Sequence, residues 1–127
     1  MQINRLDHLV LTVKDIDKTV DFYVRVLGME KEIFKKNRVA LKFGNQKINL
    51  HQLGAEFEPK AKNVKEGSAD LCFISELPLD DVIMHVMRLN IMIVEGLCER
   101  TGAIGVLNSI YIRDPDENLI EISTYTK

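Results

Sequence analysis

Two imidazoles and two carboxylates stand at matching places in two similar stretches of this chain. His8 and Asp70 each lie near the start of an alternating β-like run, and His51 and Glu121 each lie in the last such run of their half. Side chains on a strand alternate between faces. With Leu9, Leu11 and Val13 facing inward under a helix, His8 faces the other way; with Ile48 and Leu50 packed, so does His51. The same parity leaves Asp70 and Glu121 opposite the apolar residues of their own strands. Four such groups, gathered, suit a divalent ion such as Zn²⁺, Ni²⁺, Mn²⁺ or Fe²⁺ with positions left open for a substrate or water. Burying them together without a cation would be costly.

Other residues are candidates for holding a small substrate. Tyr111 and Arg113 share parity along one run, opposite Ile110 and Ile112, while Arg100 and Lys60 fall in polar stretches read as loops, where a cation could anchor an anion. His85 is mid-helix and reads as an ordinary surface residue. Cys72 and Cys98, the first in an apolar run and the second in a polar loop, lack CxxC spacing and read as reduced thiols, Cys72 a packing residue rather than a nucleophile.

The elements that must position these groups follow from periodicity. A strand at 6–13 precedes a helix at about 17–27, which Asp15 or Asp17 caps and Gly28 stops. Three short runs follow, around 31–36, 38–43 and 46–52, the last two separated by the turn dipeptide Gly44-Asn45. A charged connector at 54–67 reads as too polar to pack and long enough to cross to a second module. There the order repeats: a strand at 69–75, a helix opened by Pro78 and ended at Asn90, a short element at 91–95, a loop through Arg100-Thr101-Gly102-Ala103, and strands at 108–113 and 118–124.

The fold class is therefore α+β: two paired βαβββ modules, at about 5–53 and 68–125 of a single domain spanning 1–127, forming a curved mixed sheet around a concave pocket with helices outside. Composition narrows the partners. Of 127 residues, 17 are basic and 19 acidic, for a net charge of -2, without the basic patch that nucleic acid or an anionic membrane requires. No apolar run is long enough to span a bilayer and Met1–Arg5 carries no signal-peptide core, so a cytoplasmic location and a small-molecule partner are expected.

The paired modules, the opening Asp7-His8-Leu9-Val10-Leu11-Thr12-Val13, Phe22-Tyr23 with Leu27-Gly28-Met29, and the closing run from Arg113 through Asp114-Pro115-Asp116-Glu117-Asn118 to Glu121 resemble the vicinal oxygen chelate superfamily of glyoxalases, fosfomycin- and bleomycin-resistance proteins and dioxygenases. More narrowly, 43–51, 56–61 and 100–103 are similar to the group around glyoxalase domain-containing protein 5 and bacterial relatives, some labelled virulence proteins. The resemblance implies metal positions at His8 and Glu121. It sets His51 where glyoxalase I has Glu, and Asp70 where most metal-using members have His. It further implies a homodimer and a lyase or isomerase of the glyoxalase I type acting on vicinal oxygens, with Glu121 as the proton-shuttling base. A metal-free ligand-binding protein and an Fe²⁺ dioxygenase are the alternatives.

Overall fold

The computed structural model describes residues 1–127, which divide into two compact units, Met1–Ser68 and Ala69–Lys127. The first unit runs β1 (His8–Val13), α1 (Ile16–Arg25), β2 (Glu30–Phe34), β3 (Arg38–Phe43) and β4 (Gln46–Gln52). Its sheet has the order β1-β4-β3-β2, with β1 parallel to β4 and the remaining pairs antiparallel. The second unit repeats this as β5 (Asp70–Ile74), α2 (Leu79–Arg88), β6 (Glu95–Thr101), β7 (Val106–Arg113) and β8 (Leu119–Tyr125), in the order β5-β8-β7-β6. These are the two βαβββ modules expected, each with an open, mixed four-stranded sheet.

Local chemistry explains the elements. The Asp15 carboxylate accepts the Lys18 amide at 3.0 Å and caps α1, whose Thr19, Phe22 and Tyr23 are buried. Gly28 leaves the helix at φ 71°, a conformation that costs glycine nothing. In the second unit Leu79, Val82 and Val86 form the buried stripe of α2. One face of each sheet carries the core: Leu11, Val13, Leu41, Ile48 and Leu50 in the first, Ile110, Ile112, Ile120 and Ile122 in the second. The opposite face is left for other work. No helix is long and apolar enough to cross a membrane.

Two sequence expectations fail here. Arg100 and Cys98 lie on β6, not in a loop; the loop is confined to 102–105. As an edge strand paired only to β7 and interrupted by a bulge between Gly96 and Cys98, β6 has no need of apolar alternation, so its polar sequence hides it. The connector does pack. It turns at Gly54, φ 86°, and brings the Phe57 ring edge-on to His51 at 5.4 Å between centroids, while the Glu56 side chain is only 6% exposed.

Candidate active site

In the second unit β5 and β8 run parallel with Cys72 beside Glu121, and β8 meets β7 with Tyr111 opposite Glu121. Neighbours across a sheet share a face, so Asp70, Cys72, Glu121 and Tyr111 all stand on the side away from α2. Asp70, Glu95, Arg100, Tyr111, Arg113 and Glu121 line one cavity of about 350 Å³. A second, of about 480 Å³ and more apolar, shares Arg100 and Glu121 with the first and extends over Ile74, Ala103 and Leu107. Glu121 thus sits where a polar and an apolar cavity meet.

Its carboxylate is held firmly. Ser109 Oγ donates to Glu121 Oε2 at 2.6 Å and Ser123 Oγ does so at 3.1 Å, while the two hydroxyls lie 2.6 Å apart and both serines are fully buried. Desolvation alone would raise the Glu121 pKa, but the bonds from Ser109, Tyr111, Ser123 and Cys72 outweigh it and hold the carboxyl below its ordinary range. Glu121 is therefore an anion at neutral pH. Arg100 Nε donates to the Tyr111 hydroxyl at 3.0 Å, and the Arg100 guanidinium also pairs with Glu95 at 3.4 Å. The Tyr111 phenol is pushed up, first by desolvation and then by Glu121, so it stays protonated and can donate. Desolvation and the charges of Glu121 and Asp70 outweigh the Ser123 bond and raise the Cys72 thiol, which argues against a nucleophilic thiolate.

The first unit is organised differently. His8 is exposed and its Nδ1 lies 2.8 Å from Asp7 Oδ2, leaving Nε2 free, the arrangement that orients many metal-binding histidines. That same bond is the main reason the Asp7 carboxyl sits below its usual range. His51 is 3% exposed and its Nε2 faces Arg38 Nη2 at 3.4 Å. Lys60, expected as a substrate anchor, pairs with Glu56 at 3.4 Å and Glu58 at 3.9 Å.

A family model described as the Glyoxalase/Bleomycin resistance protein/Dioxygenase superfamily matches residues 5–122. The chain belongs to this superfamily. Virulence protein STM3117 of Salmonella typhimurium (strain LT2) is 61% identical over 125 residues, covering 98% of this chain and 87% of that protein. The crystal structure of that virulence protein superposes with a TM-score of 0.98 at 60% identity, covering 99% of this chain and all of the other. The glyoxalase domain-containing protein RDO1 of Mycosarcoma maydis is 54% identical, over 98% of this chain and 70% of its own. An integron cassette protein from the mobile metagenome of V. cholerae, VCH_CASS1, is 60% identical with a TM-score of 0.97, covering 99% and 98% of the two chains.

Within this superfamily domain the internal repeat can be read from strand register. His8 lies beside Lys47 and Val10 beside Asn49, as Asp70 lies beside Leu119 and Cys72 beside Glu121. His8 therefore corresponds to Asp70, but the counterpart of Glu121 is Asn49, and His51 corresponds to Ser123. Parity places Asn49 and His51 on one face without saying which occupies the repeated position. Thr12, not His8, is the β1 neighbour of His51. Four register steps separate the two imidazoles along the strands, about 13 Å, so the first unit does not bring them together.

The donor set divides accordingly. No group of three or more His, Cys, Asp or Glu side chains stands close enough to hold an ion as the chain is arranged. Asp70 and Glu121 fit a divalent cation: they share a cavity, Glu121 is fixed as an anion, and Asp70 has no ion-pair partner. His8 fits as well, by its free Nε2. His51 does not, because its Nε2 faces a guanidinium that would repel a cation. The residues that sequence reasoning missed, Ser109, Ser123 and Asn49, are small polar groups on strands; only their shared parity with Glu121 and His51 marked them.

Proposed function

We propose that this protein is an enzyme of the glyoxalase type, acting on a small substrate with vicinal oxygens at the second unit's cavity. The observation that carries the reading is the Glu121 carboxylate, fixed as an anion by Ser109 and Ser123 beside Asp70, Tyr111 and two arginines. Asp70 and Glu121 would hold a divalent ion in the second unit's cavity; within the first unit, His8 is the imidazole whose free Nε2 suits a ligand's role. When bound, such an ion supplies Lewis acidity to the substrate's oxygens.

The chain's own residues supply the rest. Arg100 and Arg113 give positive charge to an oxygen-rich substrate, and the raised Tyr111 phenol stays protonated and helps hold Glu121 as an anion. Ser109 and Ser123 keep Glu121 Oε2 from rotating away. The more apolar cavity next to Glu121 receives the substrate's carbon substituent and keeps water from it. Glu121, held below the ordinary carboxylate range, accepts a proton from carbon only when that proton is strongly acidified, which fits a base working beside a cation.

The test pairs metal content with turnover. Chelated protein is reloaded with Zn²⁺, Ni²⁺, Mn²⁺ or Fe²⁺ and assayed on hemithioacetals and other vicinal-oxygen compounds, with catechols included and oxygen uptake followed. About one ion per chain is expected, with affinity falling at least about tenfold in Asp70→Ala, and turnover falling at least about a hundredfold in Glu121→Gln. Small-ligand binding that ignores chelation, with no ion retained under any condition, overturns the enzyme reading in favour of a binding protein.

A further inference from the structure

We propose that the sheet face of the first unit carries an oxyanion site built on Arg38. The ring of Phe57 lies 4.2 Å, and that of Phe34 5.3 Å, from the Arg38 guanidinium carbon. Stacking of this kind fixes the guanidinium plane and lowers the ordering cost of binding. The other cations on this face are already paired: Lys42 and Lys47 with Glu32 at 3.3 and 4.0 Å, Lys60 with Glu56 and Glu58. Arg38 has no carboxylate partner. Its single polar contact is to His51 Nε2, so the rest of its donor fork is available.

Beneath it lie two polar atoms that nothing in the chain satisfies. With Nε2 accepting from Arg38, the His51 ring proton sits on Nδ1, and that atom is buried without a partner, as is Asn49 Oδ1 two residues before it on the same face of β4. His51 is 3% exposed and Asn49 7%. Leaving such groups unpaired is unfavourable in a finished core and ordinary in a site awaiting a ligand. One needs an acceptor and the other a donor. A stacked guanidinium, a buried ring N–H and a buried amide oxygen together suit a compact molecule bearing a carboxylate or phosphate and a neighbouring hydroxyl. Phe57, 42% exposed and in ring contact with both His51 and Arg38, forms the wall of the site.

Its test uses no turnover, so its failure and that of the enzyme reading are told apart. The full chain is titrated at about pH 7.5 with lactate, benzoate and inorganic phosphate, and with benzylamine as a cationic control, followed by the ring ¹⁵N and ¹H signals of its histidines. The expected result is saturable binding of at least one anion, shifting the His51 signals and leaving those of His85 unmoved. Lactate or benzoate alone would identify a carboxylate site, phosphate alone a phosphate site. Arg38→Lys, which keeps the charge and loses the fork, is expected to weaken binding at least about tenfold. If that variant does not fold, the His51 shifts of the native chain decide. No saturation by any anion up to about 100 mM, movement of signals other than those of His51, or unchanged affinity in a folded Arg38→Lys overturns the proposal.

Discussion

His51 illustrates how a residue's surroundings assign it a role that its type leaves open. Burial lowers its pKa most, the Arg38 charge lowers it further and Lys60 adds slightly, against an upward pull from Glu56. The folded state therefore favours the neutral ring. When a folded-state histidine titrates below its unfolded value, the unfolded chain takes up the proton first as pH falls, so stability is complete above about pH 6.5 and declines below it. We expect the urea midpoint of the native chain to drop between about pH 7.5 and 5.5, at no more than about 1.4 kcal/mol per pH unit for this one group. His51→Gln, whose amide oxygen can still accept from Arg38 and does not titrate, should flatten that drop; an equal drop in both proteins would refute it. The sequence shows that His51 lies on the face opposite Leu50, since alternation alone decides it. It does not show that Arg38 lies within reach, because that neighbour is set by the pairing of β3 with β4. Glu121 was legible as an inward carboxylate for the same reason, whereas its hydroxyl cradle depends on Ser109 arriving from β7.

At the scale of elements, the turn between β7 and β8 controls how the two carboxylates of the second unit are presented. Asp114 Oδ1 accepts the amides of Asp116 and Asn118, both at 2.9 Å, and Asp114 Oδ2 accepts the Asn118 side-chain amide at 2.8 Å. The Asn118 side-chain oxygen in turn accepts the Ala69 amide at 2.8 Å, which joins the turn to the residue just before Asp70. Asn118 is 2% exposed, so each of these bonds is made away from water. Asn118→Ala removes both side-chain bonds, leaving the Ala69 amide and part of the Asp114 carboxylate unpaired, at a cost of about 2–4 kcal/mol. Loss of that size should appear in chemical denaturation, together with faster hydrogen exchange at Ala69 and Leu119; exchange unchanged at both amides would show that the turn does not hold β5. The run Asp114 to Asn118 is readable as a turn because Pro115 and four acid or amide residues follow a strand. That it reaches across to β5 is not, since the pairing of β5 with β8 is a long-range contact. The edge strand β6 lies at Glu95–Thr101 rather than at the 91–95 that the sequence suggests, because its polar stretch has too little apolar alternation to mark it, and Arg100 lies on it rather than in a loop.

At the scale of the whole molecule, the second unit carries surface that bears on how many chains work together. Met84 and Met87 on α2, Met92 and Val94 after it, and Leu97 on β6 are all exposed, at 56%, 63%, 78%, 43% and 63%. Single exposed apolar residues are ordinary, but five fall within one stretch of fourteen positions, on one helix, the segment after it and the edge strand that follows, and such a run of exposed apolar side chains suits cover by other protein. The superfamily resemblance points the same way, toward a homodimer. We expect light scattering at about 50 μM to give about 29 kDa, twice the chain's 14.5 kDa, and Leu97→Asp, which sets a charge amid that surface, to move the population toward the monomer. Association also links to stability by mass action, so the melting temperature of the native chain should rise as protein concentration increases, while that of the Leu97→Asp chain should not. A 14.5 kDa species with a concentration-independent melting temperature would reject the dimer and leave the exposed apolar residues to a different partner.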